Sequence, residues 1–128
     1  MIKENLQHKR VISFSIHEKG VCALALSDSY TISIECLVRF VDNKNIFICA
    51  NDHGQLFGLK NPFDAENKIR KVIENKEIKD VEFNKKTGDL NLHFDTGVLQ
   101  IICNSAVYEN YQVNGPDNLL MVIHGGKQ

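Results

Sequence analysis

Histidine side chains are the most direct candidates for acid–base chemistry in this sequence. His93 stands two positions before Asp95 in an alternating segment, so both side chains would share one strand face and could act as a general acid–base pair. His53 lies in a polar turn, and His124 could reach a carboxylate such as Glu109. The position of each of these histidines is also typical of an ordinary surface residue. A small hydrolase that uses His93 is therefore the less favoured hypothesis.

The four cysteines could supply a nucleophile or metal ligands, but their surroundings argue against both roles. None belongs to a CxxC pair and each lies in an apolar run, which favours small core residues in a reducing compartment. These residues are Cys22, Cys36, Cys49 and Cys103. The sequence also has no zinc-ligand spacing, no glycine-rich phosphate loop before a helix and no nucleophile elbow. We therefore expect a binding protein rather than an enzyme, with no metal and no cofactor.

Charge and hydropathy narrow the classes of partner. The chain has 15 Lys and Arg against 16 Asp and Glu, and this net charge of −1 argues against nucleic acid, whose phosphates need a basic surplus. No apolar run approaches the roughly 20 residues of a membrane span, and no apolar signal segment follows Met1. We expect a cytoplasmic protein. The segment from Asp89 onward is acidic, and it is either a solvated face or a surface that steers a basic protein partner.

The first half of the chain alternates apolar and polar residues with the period of β-strands. Strands are expected at 11–16, 22–26, 31–40 and 46–50, with a strand or extended segment at 56–59, and together they form a meander over residues 10–60. An apolar stripe of Ile69, Val72 and Ile73 then predicts the main helix over residues 62–75, with Asn61 or Asp64 as its cap.

The second half returns to strands, as a meander over residues 79–124. The whole chain, residues 1–128, is thus expected to be one α+β domain of antiparallel meanders, with about eight strands and one main helix packed on the sheet. Gly20 and Leu24 match Gly88 and Leu92, after which the spacing slips by one residue. The match indicates either a duplication or two meanders that obey the same pattern.

The last third of the chain carries a family resemblance. It contains a Phe-x-x-Gly turn at 94–97, a Tyr-Glu-x-aromatic signature at 108–111, a Gly-Pro-Asp turn at 115–117 and a Gly-Gly pair at 125–126. In this order the segment resembles a bacterial immunity-protein family of polymorphic toxin and contact-dependent growth inhibition systems. The family usually has Trp where this chain has Tyr111.

The resemblance implies an immunity protein that binds and neutralises one cognate toxin C-terminal domain, usually a nuclease, in the cytosol. Acidic residues would complement a basic toxin face, and Tyr111 would be an aromatic anchor unless it packs in the core. We expect a monomer or weak dimer that binds neither nucleic acid nor membrane. An interaction or ligand-binding module without a toxin role is the alternative. The candidate toxin-binding residues are Asp89, Asp95, Glu109, Tyr111 and Asp117.

Overall fold

Ten β-strands, two α-helices and three single-turn 3-10 helices are found in the computed structural model, which describes residues 1–45 and 47–124. The α-helices are α1 (Ile2–Leu6) and α2 (Ala65–Ile73). The strands are β1 (Val11–Ile16), β2 (Cys22–Leu26), β3 (Thr31–Ile34), β4 (Leu37–Asp42), β5 (Phe47–Cys49), β6 (Asp80–Phe83), β7 (Leu90–Phe94), β8 (Gly97–Ile102), β9 (Tyr111–Asn114) and β10 (Leu120–Ile123). The Gly-Gly pair at 125–126 lies outside the described residues.

The strands form two five-stranded antiparallel sheets, which confirms the expected α+β class. The first sheet has the order β1-β2-β3-β9-β10, and the second has the order β5-β4-β8-β7-β6. Apolar side chains of both sheets meet in one core, with Phe14 and Ile32 from the first sheet and Phe40 and Leu99 from the second. Each sheet therefore combines a three-stranded meander from one half of the chain with a hairpin from the other half.

The chain first crosses between the sheets at Glu35 and Cys36, where the sequence predicts one strand that continues to Phe40. The structure instead ends β3 at Ile34 and begins β4 at Leu37. β3 pairs with β9 in the first sheet, whereas β4 pairs with β8 in the second. The prediction was wrong because alternation reveals which face of a strand is buried, but not which sheet the strand joins.

Two boundaries near the main helix also differ from expectation. The segment 56–59 is not a strand but a turn, in which Phe57 and Gly58 both have positive φ. The helix α2 begins at Ala65 rather than at residue 62. Asp64 is its N-cap, because its carboxylate accepts a hydrogen bond of 3.0 Å from a backbone N–H of the first turn.

Reciprocal hydrogen bonds show that the two halves are related by an approximate twofold axis. The Val11 N–H donates to the Lys76 carbonyl oxygen at 2.9 Å, and the Ile78 N–H donates to the Lys9 carbonyl oxygen at 2.8 Å. Val11 therefore corresponds to Ile78, and Lys9 corresponds to Lys76. The helices follow the same rule, since α1 packs on β6 and α2 packs on β1.

The equivalence extends from the axis into the sheets. Arg10 and Glu77, which are counterparts, form an isolated antiparallel bridge with each other. Leu24 and Leu92 are both fully buried in the middle strand of their meanders, and their cross-strand partners correspond as well. The one-residue slip in the sequence match thus falls in the turns and leaves the strand pairing intact.

Side chains of α2 cover the free backbone edge of β1. Glu66 accepts a hydrogen bond from the Ile16 N–H at 2.8 Å, and Arg70 donates to the Phe14 carbonyl oxygen at 3.0 and 3.2 Å. An uncovered edge of this kind would be free to pair with another strand. Ile69 and Ile73 of the apolar stripe are fully buried and Val72 is half-buried, as expected for a helix docked on a sheet.

Candidate protein-binding surface

The acidic residues suggested by the sequence as toxin contacts do not converge on one surface. Asp89 and Asp95 lie at opposite ends of β7, and Asp95 pairs with Lys76 at 3.7 Å. Asp117 lies in the β9–β10 turn, and Glu109 lies between β8 and β9. Asp89 is half-buried, and its carboxylate accepts a hydrogen bond of 2.8 Å from the backbone N–H that follows β8. Asp89 thus supports the sheet.

Tyr111 lies in the core, so its suggested role as an exposed aromatic anchor is corrected. Its side chain is fully buried as the first residue of β9, and its hydroxyl donates to the Gly88 carbonyl oxygen at 2.8 Å. Burial raises the pKa of this hydroxyl above its ordinary value. The strand β9 begins at Tyr111, and its alternation turns Tyr111 and Val113 inward together.

The crossover loop, defined as residues 104–110, carries the chain from the second sheet back to the first. Asn110 is almost completely buried and holds the loop in shape. Its side-chain oxygen accepts the N–H groups of Asn104 and Ser105 at 3.0 and 3.1 Å, and its amide nitrogen donates to the Ser105 carbonyl oxygen at 2.8 Å. Its own backbone N–H donates to Ile123 at 2.9 Å, and its carbonyl oxygen accepts the Glu35 N–H at 2.8 Å. The loop is therefore anchored to both neighbouring strands.

Val107 and Tyr108 form the exposed tip of the crossover loop. Their side chains are 75% and 77% exposed, and the Ser105 hydroxyl oxygen accepts their backbone N–H groups at 3.2 and 2.9 Å. An aromatic side chain on an ordered backbone loses little conformational entropy on binding, which favours a contact with another protein. In the sequence, the signal for this turn was a serine three positions before Tyr108, in a segment without strand alternation.

The linker loop, defined as residues 54–63, joins the two halves of the chain and has a second apolar tip. Two backbone hydrogen bonds hold its ends together. The Gly54 N–H donates to the Phe63 carbonyl oxygen at 2.8 Å, and the Phe63 N–H donates to the Gln55 carbonyl oxygen at 2.7 Å. Each large apolar side chain of the tip is more than half exposed. These side chains are Leu56, Phe57 and Leu59.

A polar groove of about 680 Å³ lies at the bases of both loops. Gln55 of the linker loop and Asn104 of the crossover loop line it, together with Glu35 at the first crossing between the sheets. His53 forms part of its wall, and its Nδ1 accepts the Glu66 N–H at 3.2 Å, so a neutral ring carries its proton on Nε2. The groove and the two loop tips together form the candidate surface.

The acid–base pair suggested by the spacing of His93 and Asp95 is not formed. His93 is hydrogen-bonded to Glu82 on the adjacent strand β6, and Asp95 is paired with Lys76. In the described part of the chain, no three His, Cys, Asp or Glu side chains are close enough to share a metal ion. Neither described helix is long or apolar enough to cross a membrane.

The thiols are held in their protonated form by their surroundings. Burial raises the pKa of Cys22 and of Cys36 to about 12, and it raises the pKa of Cys103 to about 11. Because the thiolate is the reactive species, these side chains are poor nucleophiles at neutral pH.

Comparison with known proteins finds no relative of this chain. No family model matches it, and neither a curated protein nor a solved structure matches it. What the chain does must therefore be inferred from its own residues.

Proposed function

We propose that this chain is an immunity protein, which binds a cognate toxin domain in the cytosol and thereby neutralises it. The single observation that supports protein binding best is the crossover loop, whose ordered backbone presents Val107 and Tyr108 to solvent. The resemblance of the last third of the chain to immunity proteins supplies the toxin domain as the partner.

The energetics of protein association favour this surface over the scattered acidic residues. A few aromatic anchors contribute most of the affinity in protein complexes, and a truncated anchor typically costs about 2 kcal/mol or more. Charges at the rim of an interface contribute less affinity and mainly increase the association rate. Tyr108 is therefore the strongest candidate anchor, whereas Asp95 and Asp117 lie in the β7–β8 and β9–β10 turns, away from the crossover loop.

The proposal is tested with the toxin domain encoded by the neighbouring reading frame. Co-expression of this chain should restore growth to cells that produce the domain, and calorimetry should give a nanomolar dissociation constant. A domain that remains fully toxic and does not bind the purified chain would exclude the proposed role.

Tyr108→Ala tests whether the crossover loop makes the contact. We expect the variant to bind about 30-fold more weakly or worse, since a lost anchor costs about 2 kcal/mol. Leu120→Ala is the matched control, because Leu120 is also exposed but lies at the far end of the β9–β10 hairpin. Equal losses of affinity in the two variants would show that the crossover loop does not make the toxin contact.

The groove supports a second candidate function, the binding of a small ligand. Its volume of about 680 Å³ lies in the range of small-molecule sites, roughly 300–1,000 Å³. Such sites are mostly apolar, whereas many of the side chains around this groove are polar. A ligand-binding module predicts that Tyr108→Ala leaves function intact and that groove variants abolish it.

A further inference from the structure

Two loops with apolar tips begin at the groove, and they bear on the kind of partner that could fill it. Gln55 leads directly into the tip formed by Leu56, Phe57 and Leu59, and Asn104 begins the loop that ends in Tyr108. An occupant of the groove thus lies beside the loops that carry the two tips. A chain segment that combines a polar centre with apolar side chains suits such a surface.

The charged side chains of the groove define the polar centre of its occupant. Glu18 and Glu35 both line the groove and are exposed, and Lys19 is the one Lys or Arg among its described lining residues. Two carboxylates therefore face one basic side chain among the described lining residues, which favours a cationic partner.

Backbone hydrogen bonds within the chain hold residues that line the groove. The Glu35 N–H donates to the Asn110 carbonyl oxygen at 2.8 Å. The His53 N–H donates to the Ala50 carbonyl oxygen at 3.0 Å. A site that is already shaped spends less binding free energy on ordering its own loops.

We propose that the groove receives a basic segment of the partner protein, with Lys or Arg facing Glu18 and Glu35 and apolar residues against the two tips. The inference rests on the proposed function only for the identity of the partner, because the chemistry of the segment follows from the groove itself. Tyr108 would supply affinity and the groove would supply specificity. A neutral or acidic segment would leave the two carboxylates without counterions, so it would bind more weakly.

The test uses a phage-displayed library of random twelve-residue peptides, selected on the full chain, so it needs no toxin domain. We expect enriched peptides with Lys or Arg between apolar residues. The double variant Glu18→Gln/Glu35→Gln should bind a synthesised enriched peptide about tenfold more weakly in low salt, and the loss should shrink in high salt. Asp95→Asn/Asp117→Asn is the matched control, which removes the same charge outside the groove and should bind unchanged.

Several outcomes would overturn the inference. These are the absence of enriched peptides, enrichment of acidic or uncharged peptides, and equal binding by the two double variants. Circular dichroism of both variants separates lost binding from lost folding, and the single variants Glu18→Gln and Glu35→Gln replace the double variant if it unfolds. Rescue from the neighbouring toxin by the wild-type chain is measured separately. A groove that binds no basic peptide therefore does not exclude the immunity function.

Discussion

The two halves of this chain share one framework but cross between the sheets in different ways. In the first half Cys36 leads directly into β4, whereas in the second half its counterpart Cys103 is followed by the crossover loop before β9 begins. Val38 and Tyr111 occupy equivalent places, opposite the counterparts Ile34 and Ile101. Residues 104–109 therefore have no counterpart in the first half.

This difference separates the repeated elements, which form the core, from the loops that occur in only one place. The meanders, the helices and the reciprocal bonds at the axis are repeated, and they form the common core. The crossover loop and the linker loop are not repeated, and both carry exposed apolar tips beside one groove. Binding residues often lie on loops that a rigid scaffold positions, and the added segments fit that pattern.

The strongest test of the shared framework compares two equivalent core residues. Leu24→Ala and Leu92→Ala each remove a fully buried side chain from the middle of a meander. Each should lower the free energy of unfolding by about 2–5 kcal/mol, through lost burial and the cavity left behind. Urea denaturation of both variants should give values within about 1 kcal/mol of each other. A large cost in one half alone would show that the halves are not energetically equivalent.

The crossover loop should depend on Asn110 in a way that has no parallel in the first half. Asn110→Ala removes the bonds to Asn104 and Ser105 and should cost about 1–3 kcal/mol of stability. Hydrogen exchange at the amides of residues 104–108 should accelerate. Asn104→Ala is the control, because the backbone rather than the side chain of Asn104 takes part in the network. Unchanged exchange in Asn110→Ala would contradict the assigned role.

The thiols at the two crossings should differ in reactivity. Burial raises the pKa of Cys36 to about 12 and that of Cys103 to about 11, so Cys103 holds more thiolate at any pH below both values. Cys103 is also the more exposed of the two, so it should react faster with iodoacetamide at pH 8, even though the more basic thiolate of Cys36 is the stronger nucleophile. Peptide mapping by mass spectrometry measures both sites in one sample. Faster labelling of Cys36 would reverse the comparison.

The smallest expected effect is a difference between the two helices in how acid lowers the stability of the fold. Lys3 of α1 hydrogen-bonds Asp80 and lowers the pKa of that carboxyl. Its counterpart Arg70 donates to the backbone oxygen of Phe14 and also lies 3.4 and 3.7 Å from the carboxylates of Glu66 and Glu74, and the variant Arg70→Lys keeps the positive charge there. A lowered folded-state pKa gives stability that is present above the ordinary value, near 4, and lost as the pH falls through the folded-state value.

Asp80→Asn should therefore lose less stability than the wild type between pH 6 and pH 3, and Arg70→Lys should follow the wild type. Urea midpoints at each pH measure this small effect. An identical acid dependence of Asp80→Asn and the wild type would show that the Lys3 contact does not contribute.

Much of the local structure could be predicted from residue types alone. Periodicity and hydrogen-bonding capacity predict the strands at Val11–Ile16 and Cys22–Leu26, the apolar stripe of α2, and Asp64 as one of two caps. Of the candidate site, Glu109 lies in the crossover loop, but Tyr111 is buried and the other acids are dispersed. The groove was not predicted, because its walls come from four separate parts of the chain.

The sequence by itself determined which side chains must be buried and where the chain can turn, because both depend on neighbours along the chain. Only the tertiary structure decided which sheet each strand joins. Gly97 shows the difference: its place in a turn after Asp95 was evident, but a Cβ there would also lie 2.2 Å from the Val41 carbonyl oxygen. That contact exists only because β4 crosses to the second sheet and pairs with β8. The free energy of such a pairing depends on residues far apart in sequence, which no local pattern encodes.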